Sequence, residues 1–273
     1  CVCIDLERDA PQRQIDALIA ELVEPGAEGQ VALRAGRRFA SRLLRAEARE
    51  TALSTLPLNG AWKLTPAERG SLDRFVRVAA GRRAPGHGEV EVEVQATGLN
   101  FKDVLNVLGM YPGDAGPLGG ECAGVVSAIG EGVAGLRVGE PVMALASGSF
   151  ASHVTTRAEF VQPRPPRQSA AEAASIPIAF LTAKFCLEHL AQMKRGERVL
   201  VHAAAGGVGM AAVRLALRAG AEVFATAGSE WKRELLRGMG VAHVFDSRST
   251  SFADGIRALT QGAGVDIVLN SLS

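Results

Sequence analysis

The chain has 273 residues, of which 47% are hydrophobic and 22% are charged, and its formal net charge at pH 7 is +1. This size and apolar content suffice for two ordinary domains, and the balanced charge excludes an electrostatic case for binding nucleic acid or a membrane surface. Of the four cysteines only Cys1 and Cys3 lie close together, so no second pair completes a zinc site. Because no targeting segment or membrane-length apolar run is present, we expect a cytoplasmic protein with free thiols.

The first 45 residues predict a strand, an amphipathic helix and a β-hairpin. Apolar side chains recur at helical spacing over residues 11–23, and two β-type runs flank the turn Ala35-Gly36-Arg37. This segment carries too little apolar material to fold alone, so we expect the tail of a domain whose front half is missing. Residues 46–60 lose periodicity and end in turn formers, which predicts a linker.

Residues 61–185 are predicted to form a β-rich domain. Residues 89–97 alternate glutamate with valine, which places the valines on a buried face, and we interpret the glutamates as a solvated face and not as an acid/base pair. Further apolar runs, separated by glycine-rich turns, predict a small β-barrel or sandwich. A helical, alanine-rich stretch over residues 170–192 follows, with Pro177 at a start or a kink.

A strand, a tight turn and a helix are predicted over residues 198–220, and a second strand follows at residues 223–227. Glycines in such a turn let the backbone approach a pyrophosphate, and the N–H groups at the helix start bind its negative charge. A tight packing turn without a ligand stays as the alternative. The candidate cofactor-binding residues of the turn are Ala204, Gly206, Gly207, Val208 and Gly209, with Ala204 in place of the first glycine of the motif.

The remaining sequence alternates helices and short strands, which predicts a parallel sheet of four strands in residues 186–273. A doubly wound sheet has six strands. We therefore expect a nucleotide-binding domain that is incomplete at its C-terminus.

The end of the second strand favours NADP over NAD. No carboxylate stands there before Glu230, whereas NAD-binding proteins place an acidic residue at this point for the ribose 2′-hydroxyl. We expect Ser229, Lys232 and Arg248 to receive a 2′-phosphate. The alternative is that Lys232 is a solvated helix residue and Arg248 a loop charge.

Several segments resemble the enoylreductase domains of modular polyketide synthases and, more distantly, of animal fatty acid synthase. The segments are AAAGGVGMAA, GLNFKDVLNVLGMYPG, LGGECAGVV, IPIAFLTA and GVDIVLNSL, and the similarity covers residues 61–273 in order. These domains belong to the medium-chain dehydrogenase/reductase superfamily. The first 45 residues resemble the tail of the ketoreductase structural subdomain that precedes the enoylreductase in such synthases.

The resemblance implies an α/β fold, in which a GroES-like β-barrel substrate domain precedes a Rossmann-type parallel-sheet domain. It implies NADPH-dependent reduction of a trans-α,β-enoyl thioester on an acyl carrier protein, with neighbouring synthase domains as further partners. Hydride would go to the β-carbon and a proton to the α-carbon. By the same resemblance Asn100 and Thr182 would lie near the nicotinamide end and Asn270 near the cofactor cleft, and the residues named above would line the pyrophosphate and the 2′-phosphate.

Zinc-dependent members of this superfamily carry a histidine in a G-H-E motif and an earlier cysteine ligand. The corresponding positions here read Gly119-Gly120-Glu121 and Gly98-Leu99-Asn100, so we expect no catalytic zinc. Tyr111, the single tyrosine, is our candidate for supplying or orienting the α-proton, and a turn tyrosine that only packs its ring is the alternative. Lys102 stands where the family has arginine, so this side chain cannot donate the two parallel hydrogen bonds that a guanidinium group makes.

Two other functions stay open from the sequence. A free-standing, zinc-free quinone or enone reductase would share the cofactor turn but not the first 45 residues. A non-catalytic structural fragment would lack a competent site altogether.

Overall fold

The computed structural model describes residues 3–6, 12–23, 30–35, 37–40 and 60–270. The chain divides into two compact units, Cys1–Ala52 and Leu53–Ser273. The predicted linker, apart from its last residue, lies outside the described residues, and the predicted domain boundaries stay predictions. No helix in the described ranges is long and apolar enough to cross a membrane.

The N-terminal unit contains the predicted strand, helix and hairpin. Its elements are β1 (Cys3–Leu6), α1 (Gln12–Val23), β2 (Gln30–Arg34) and β3 (Arg37–Ala40). β2 pairs in parallel with β1 and antiparallel with β3. Val31 and Leu33 on β2 are buried, because alternate side chains of a strand face the same side.

The β-rich part of the second unit contains a two-stranded pair and a five-stranded antiparallel sheet. The elements are β4 (Trp62–Pro66), β5 (Phe75–Ala79), β6 (Glu89–Thr97), α2 (Phe101–Val107), β7 (Glu121–Ile129), β8 (Pro141–Leu145), β9 (His153–Arg157) and β10 (Val161–Pro163). The order in the larger sheet is β10-β8-β7-β6-β9, and β4 pairs with β5. Helix α2 connects β6 to β7. The apolar core includes Val90, Val92, Val126 and Val142.

One prediction for β6 is wrong. Val90 and Val92 are buried as expected, but Glu91 is also buried, with 3% of its surface exposed. Its carboxylate accepts hydrogen bonds from the Arg82 guanidinium and from the Ser127 hydroxyl, at 2.7 Å for the latter. The pairing of β6 with β7 shifts its register between Glu91 and Val92. The extra residue of this bulge is Ser127 on β7, so β6 itself keeps its alternation. Glu91 is buried on the face opposite Val90 because Arg82 and Ser127 approach it there, and the guanidinium stabilises its charge.

The C-terminal part is a four-stranded parallel sheet, as predicted. The elements are α3 (Ala170–Ala174), α4 (Pro177–Lys184), a π-helical turn (Phe185–Leu190), β11 (Arg198–Val201), α5 (Gly207–Ala219), β12 (Glu222–Ala227), α6 (Glu230–Gly238), β13 (His243–Asp246), α7 (Ser251–Leu259) and β14 (Ile267–Leu269). The strand order is β13-β12-β11-β14. On β11, Val199 and Val201 pack in the core shared with α5, and Leu200 packs on the other face with Ile256 of α7.

Two features of this part position the site. Pro177 occupies the first turn of α4, where its missing N–H costs no helical hydrogen bond. Parallel strands direct their carboxyl ends to one edge of the sheet, where ligands bind in such folds. The turn after β11 and the end of β12 therefore share that edge.

Candidate functional site

The turn between β11 and α5 has the shape that the sequence predicts, with one difference. The left-handed residue is Ala203, with φ of 47°, whereas Ala204 is fully buried and donates its N–H to the Thr226 carbonyl at 3.1 Å. The Gly206 N–H closes the turn on the Ala203 carbonyl at 2.9 Å. The unusual backbone angle therefore falls one residue before the first motif position, and alanine is tolerated at Ala204.

The glycines of this turn differ in what they would meet if they carried a side chain. A Cβ on Gly209 would lie 2.4 Å from the Ala203 oxygen and 2.7 Å from the Ala204 Cα, so the fold itself requires this glycine. A Cβ on Gly206 would meet only the Ala203 oxygen, at 3.2 Å, and one on Gly207 would meet nothing within 4 Å. The space at Gly206 and Gly207 is therefore open, as close approach of a ligand to the backbone requires.

The start of α5 supplies donors to this open space. The N-cap is Gly206, and the helix continues through Gly207, the half-buried Val208 and Gly209. The first N–H groups of a helix have no intrahelical acceptor, and the helix dipole makes that end attractive to an anion. The turn and the helix start together form a site for a pyrophosphate.

Next to this turn, Arg248, which follows β13, approaches the end of β12 as predicted. The Arg248 Nε donates to the Gly228 carbonyl at 3.2 Å, which brings the guanidinium to the residue before Ser229. The Ser229 Oγ is buried and has no hydrogen-bond partner in the described part of the chain. The Lys232 ammonium lies 5.5 Å from the centroid of the Trp231 ring. Ser229 and Arg248 thus meet at Gly228, and Lys232 lies against the ring of its neighbour.

The first acidic residue that follows β12 in the sequence is already engaged. Glu230 accepts hydrogen bonds from Arg237 and Arg233, at 2.8 Å and 2.7 Å, and the pKa of its carboxyl is lowered, first by Arg237 and then by Arg233. A carboxylate held by two guanidinium groups is a poor partner for a ribose hydroxyl. The end of β12 therefore presents the Arg248 guanidinium and the Ser229 hydroxyl rather than a free carboxylate.

The nicotinamide-end candidates lie at or beside a cleft of about 710 Å³. Asn100 lines this cleft together with Ile178 of α4, and Thr182 is exposed one helical turn after Ile178. Asn270 is exposed and follows β14, the neighbour of β11, at the same sheet edge as the dinucleotide turn. The cleft is lined by Glu89, Asn100, Phe101, Lys102, Asp103, Gly119, Gly120, Leu145, Ala146, Ser147, Thr155, Thr156, Arg157, Phe160 and Ile178.

Sequence reasoning missed two buried carboxylates, Asp103 in the lining of this cleft and Glu121 next to that lining. Asp103 accepts the Gly119 N–H at 2.8 Å and the Asn100 N–H at 2.9 Å. Glu121 accepts the Asn100 side-chain amide at 2.9 Å and the Ile178 N–H at 2.8 Å. The available signal was the position of Glu121 in the altered G-H-E motif, which we interpreted only as the absence of a metal ligand.

Comparison with known proteins places this geometry in a family. Residues 86–166 match the alcohol dehydrogenase GroES-like domain, and residues 207–273 match the zinc-binding dehydrogenase family. The chain is 44% identical to a phenolphthiocerol/phthiocerol polyketide synthase of Mycobacterium tuberculosis, over 99% of this chain and 13% of that protein. It therefore spans only about an eighth of that relative's length.

Comparison with solved structures identifies the family more specifically. The CurK enoyl reductase is 44% identical, with a TM-score of 0.74, and the match covers 79% of this chain and 68% of that one. The mycobacterial protein Rv1454c, solved in complex with NADPH, is 32% identical, with a TM-score of 0.68, over 76% of this chain and 66% of that one. The chain belongs to the polyketide enoyl reductases. This family lies in the medium-chain dehydrogenase/reductase superfamily, and the predicted order of a GroES-like domain followed by a Rossmann-type domain is confirmed.

The residues of the dinucleotide turn and of the end of β12 fit a nicotinamide dinucleotide. Open space lies over Gly206 and Gly207, and the buried Ser229 hydroxyl has no protein partner in the described ranges. Both are features that a bound dinucleotide phosphate would use.

Tyr111 lies after α2 and is half-buried. Its ring centroid is 5.5 Å from the ammonium of Lys102, a residue that lines the cleft. Its backbone N–H donates to the Leu105 carbonyl at 3.2 Å. The ring is thus held by the turn and by Lys102, close to the cleft. Its role as an acid stays a prediction.

Two other titratable side chains, His202 and Cys122, are engaged in packing and hydrogen bonding within the fold. His202 shares a 2.9 Å hydrogen bond with the Thr226 hydroxyl and packs edge-on against Phe252, and burial lowers its pKa. Burial also raises the pKa of the Cys122 thiol to about 12, so this thiol is inert. Over the described ranges, no group of three or more His, Cys, Asp or Glu residues is placed to hold a metal ion.

Proposed function

We propose that this chain is the NADPH-dependent enoyl reductase of a polyketide synthase and that it reduces a trans-α,β-enoyl thioester carried on an acyl carrier protein. The proposal is carried by the 44% identity with the CurK enoyl reductase, which covers 79% of the chain. The neighbouring synthase domains are its further partners and the cytoplasm its compartment. The open dinucleotide turn and the cleft lined by Asn100 support it independently.

Each part of the site has a distinct task in this reaction. When bound, NADPH supplies hydride to the β-carbon, and the thioester oxygen collects enolate charge. The N–H groups at the start of α5 hold the pyrophosphate. Asn100 and Thr182 orient the nicotinamide end, with Asn270 at the same edge. The phenol of Tyr111 delivers or orients the proton for the α-carbon.

Preference for NADPH over NADH is assigned to Ser229, Lys232 and Arg248. Each cation that bonds a phosphate contributes about 1.5–3 kcal/mol, because hydrogen bonds to charged groups are the strong ones. We expect Lys232→Ala and Arg248→Ala each to weaken NADPH binding about 10- to 100-fold and to leave NADH binding unchanged, as measured by nicotinamide fluorescence titration. Arg257→Ala on α7, which removes an exposed arginine elsewhere, is the matched control. Equal weakening of both nucleotides would refute the assignment.

The substrate class is tested by competition between acceptors. A crotonyl thioester on an acyl carrier protein, the same thioester on free pantetheine and a simple quinone are each supplied with NADPH. The proposal expects the carrier-bound thioester to be reduced most efficiently. Faster turnover of the quinone would instead support the free-standing quinone reductase, and NADPH binding without turnover of any acceptor would support the non-catalytic fragment.

A further inference from the structure

Glu121 is a buried carboxylate that has no cationic partner among the described residues. Its exposed fraction is 3%, and among the described residues no Lys, Arg or His forms an ion pair with it. Its Oε1 accepts the Asn100 Nδ2 at 2.9 Å, and its Oε2 accepts the Ile178 N–H at 2.8 Å. The chain makes room for this group, since a Cβ on Gly98 would lie 2.3 Å from Oε1. A buried charge is costly unless it is fully hydrogen-bonded, so this arrangement calls for a role.

The two partners of Glu121 come from separate elements that line the cleft. Asn100 precedes α2, and its own N–H is fixed by the Asp103 carboxylate at 2.9 Å. Ile178 lies in the first turn of α4, the helix that also carries Thr182. An N–H in the first helical turn has no intrahelical acceptor, and the helix dipole favours a negative charge there. Glu121 therefore joins the start of α4 to the Asn100 side chain.

The chemistry of a carboxylate determines which way the Asn100 amide is turned. An ionised carboxylate only accepts hydrogen bonds, whereas a side-chain amide donates through Nδ2 and accepts through Oδ1. Because Nδ2 is directed to Glu121, Oδ1 lies on the opposite side of the amide group. Asn100 lines the cleft. Its Oδ1 also serves the Asp103 N–H in the capping box of α2, and the second lone pair of this oxygen makes the side chain an acceptor and not a donor for a ligand in the cleft.

We propose that Glu121 is a positioning residue for cofactor binding. It holds the Asn100 amide with Oδ1 available to the cleft, where Asn100 accepts a hydrogen bond from the carboxamide N–H₂ or a ribose hydroxyl of the nicotinamide nucleotide. This inference rests on the proposed function. It adds that Asn100 accepts, and does not donate, the hydrogen bond to the cofactor, and that Glu121 orients the Asn100 amide for this contact.

Glu121→Gln tests the polarity because it preserves shape and changes one oxygen into a donor. With its Oε1 on the Ile178 N–H, Gln at this position directs Nε2 at Asn100. Two donors then face each other, or the Asn100 amide rotates and presents Nδ2 to the cleft. Both arrangements remove the acceptor that the nicotinamide nucleotide needs.

The measurement compares NADPH with adenosine 2′,5′-bisphosphate, which binds through the adenine end and lacks the nicotinamide nucleotide. We expect Glu121→Gln to weaken NADPH binding about tenfold, equivalent to about 1.4 kcal/mol, and to leave binding of the bisphosphate unchanged. Glu91→Gln is the matched control, since Glu91 is a glutamate of equal burial whose hydrogen-bond partners, Arg82 and Ser127, do not line this cleft. It should lower the melting temperature without changing the ratio of the two affinities.

A second-site variant makes the test independent of stability. In the double variant Asn100→Asp with Glu121→Gln, the amide at 121 donates to the carboxylate at 100, and the other carboxylate oxygen is the acceptor for the cleft. We expect this pair to bind NADPH at least about tenfold more tightly than Asn100→Asp alone, which places two carboxylates against each other. Equal affinities of the double and single variants contradict the inference even where Glu121→Gln is poorly folded.

The outcomes separate this inference from the function on which it rests. If the unmodified chain does not bind NADPH, both fail. If it binds NADPH and Glu121→Gln binds equally well, only the positioning role fails. If Glu121→Gln weakens both nucleotides to the same extent, Glu121 is merely structural and the inference is again overturned.

Discussion

Two glycines of the dinucleotide turn are required for different reasons, Gly206 for ligand binding and Gly209 for the fold. Gly206→Ala places its Cβ 3.2 Å from the Ala203 oxygen, a contact that a small adjustment relieves. Alanine also restricts the unfolded chain more than glycine does, and this stabilises the folded state by about 0.4–1 kcal/mol. We therefore expect the free energy of unfolding to change by less than about 1 kcal/mol. NADPH binding should weaken at least about tenfold, because the new methyl group occupies the space where the backbone meets the pyrophosphate.

Gly209→Ala should behave in the opposite way. Its Cβ would lie 2.4 Å from one backbone atom and 2.7 Å from another, so α5 must move away from β11. Overpacking of this kind costs about 3 kcal/mol, which lowers the melting temperature of a unit of this size by about 6–12 °C. Gly238→Ala, at the end of α6 with nothing within 4 Å of its Cβ, is the control for the general effect of the substitution.

The assay pairs thermal or urea unfolding with NADPH fluorescence titration for the three variants. A large loss of stability in Gly206→Ala, or unchanged NADPH affinity in that variant, would refute the division of roles. Equal melting temperatures for Gly209→Ala and Gly238→Ala would refute the steric argument itself.

Three further predictions concern single residues. Ala203→Gly should raise the free energy of unfolding, measured in urea, by about 0.5–1 kcal/mol. The backbone strain of alanine at φ of 47° costs more free energy than the extra chain entropy that glycine loses on folding. A decrease in the free energy of unfolding would contradict this. Hydrogen bonding by Arg82 holds the pKa of Glu91 below its ordinary value of 4.5, so this pair stabilises the fold above that pH and less as the pH falls below it. Arg82→Ala should accordingly lower the melting temperature more at pH 7 than at about pH 3, and an equal loss at both would argue against the pair. Tyr111→Phe should change the α-configuration or the rate of product formation from an α-substituted enoyl thioester, whereas unchanged configuration and rate would leave Tyr111 a packing residue.

Local sequence was sufficient for the elements and for the dinucleotide turn. Strand, glycine-rich turn and helix follow each other within about 20 residues, so periodicity and glycine placement describe them directly. The alternation of β6 predicted the buried Val90 and Val92 for the same reason. The missing carboxylate at the end of β12 is likewise visible in the sequence, and the structure adds that Glu230 is already held by two arginines.

Tertiary structure alone decided the state of the buried carboxylates. Alternation assigns Glu91 to solvent, but Arg82 and Ser127, which come from other segments, approach it and bury it. Glu121 meets Asn100 across 21 residues and Ile178 across 57, and neither contact has a local signature. The sequence by itself determined which segments are strands and helices, because those depend on neighbours in the chain. Which acid faces which donor depends on how distant segments pack, and only the folded chain supplies that.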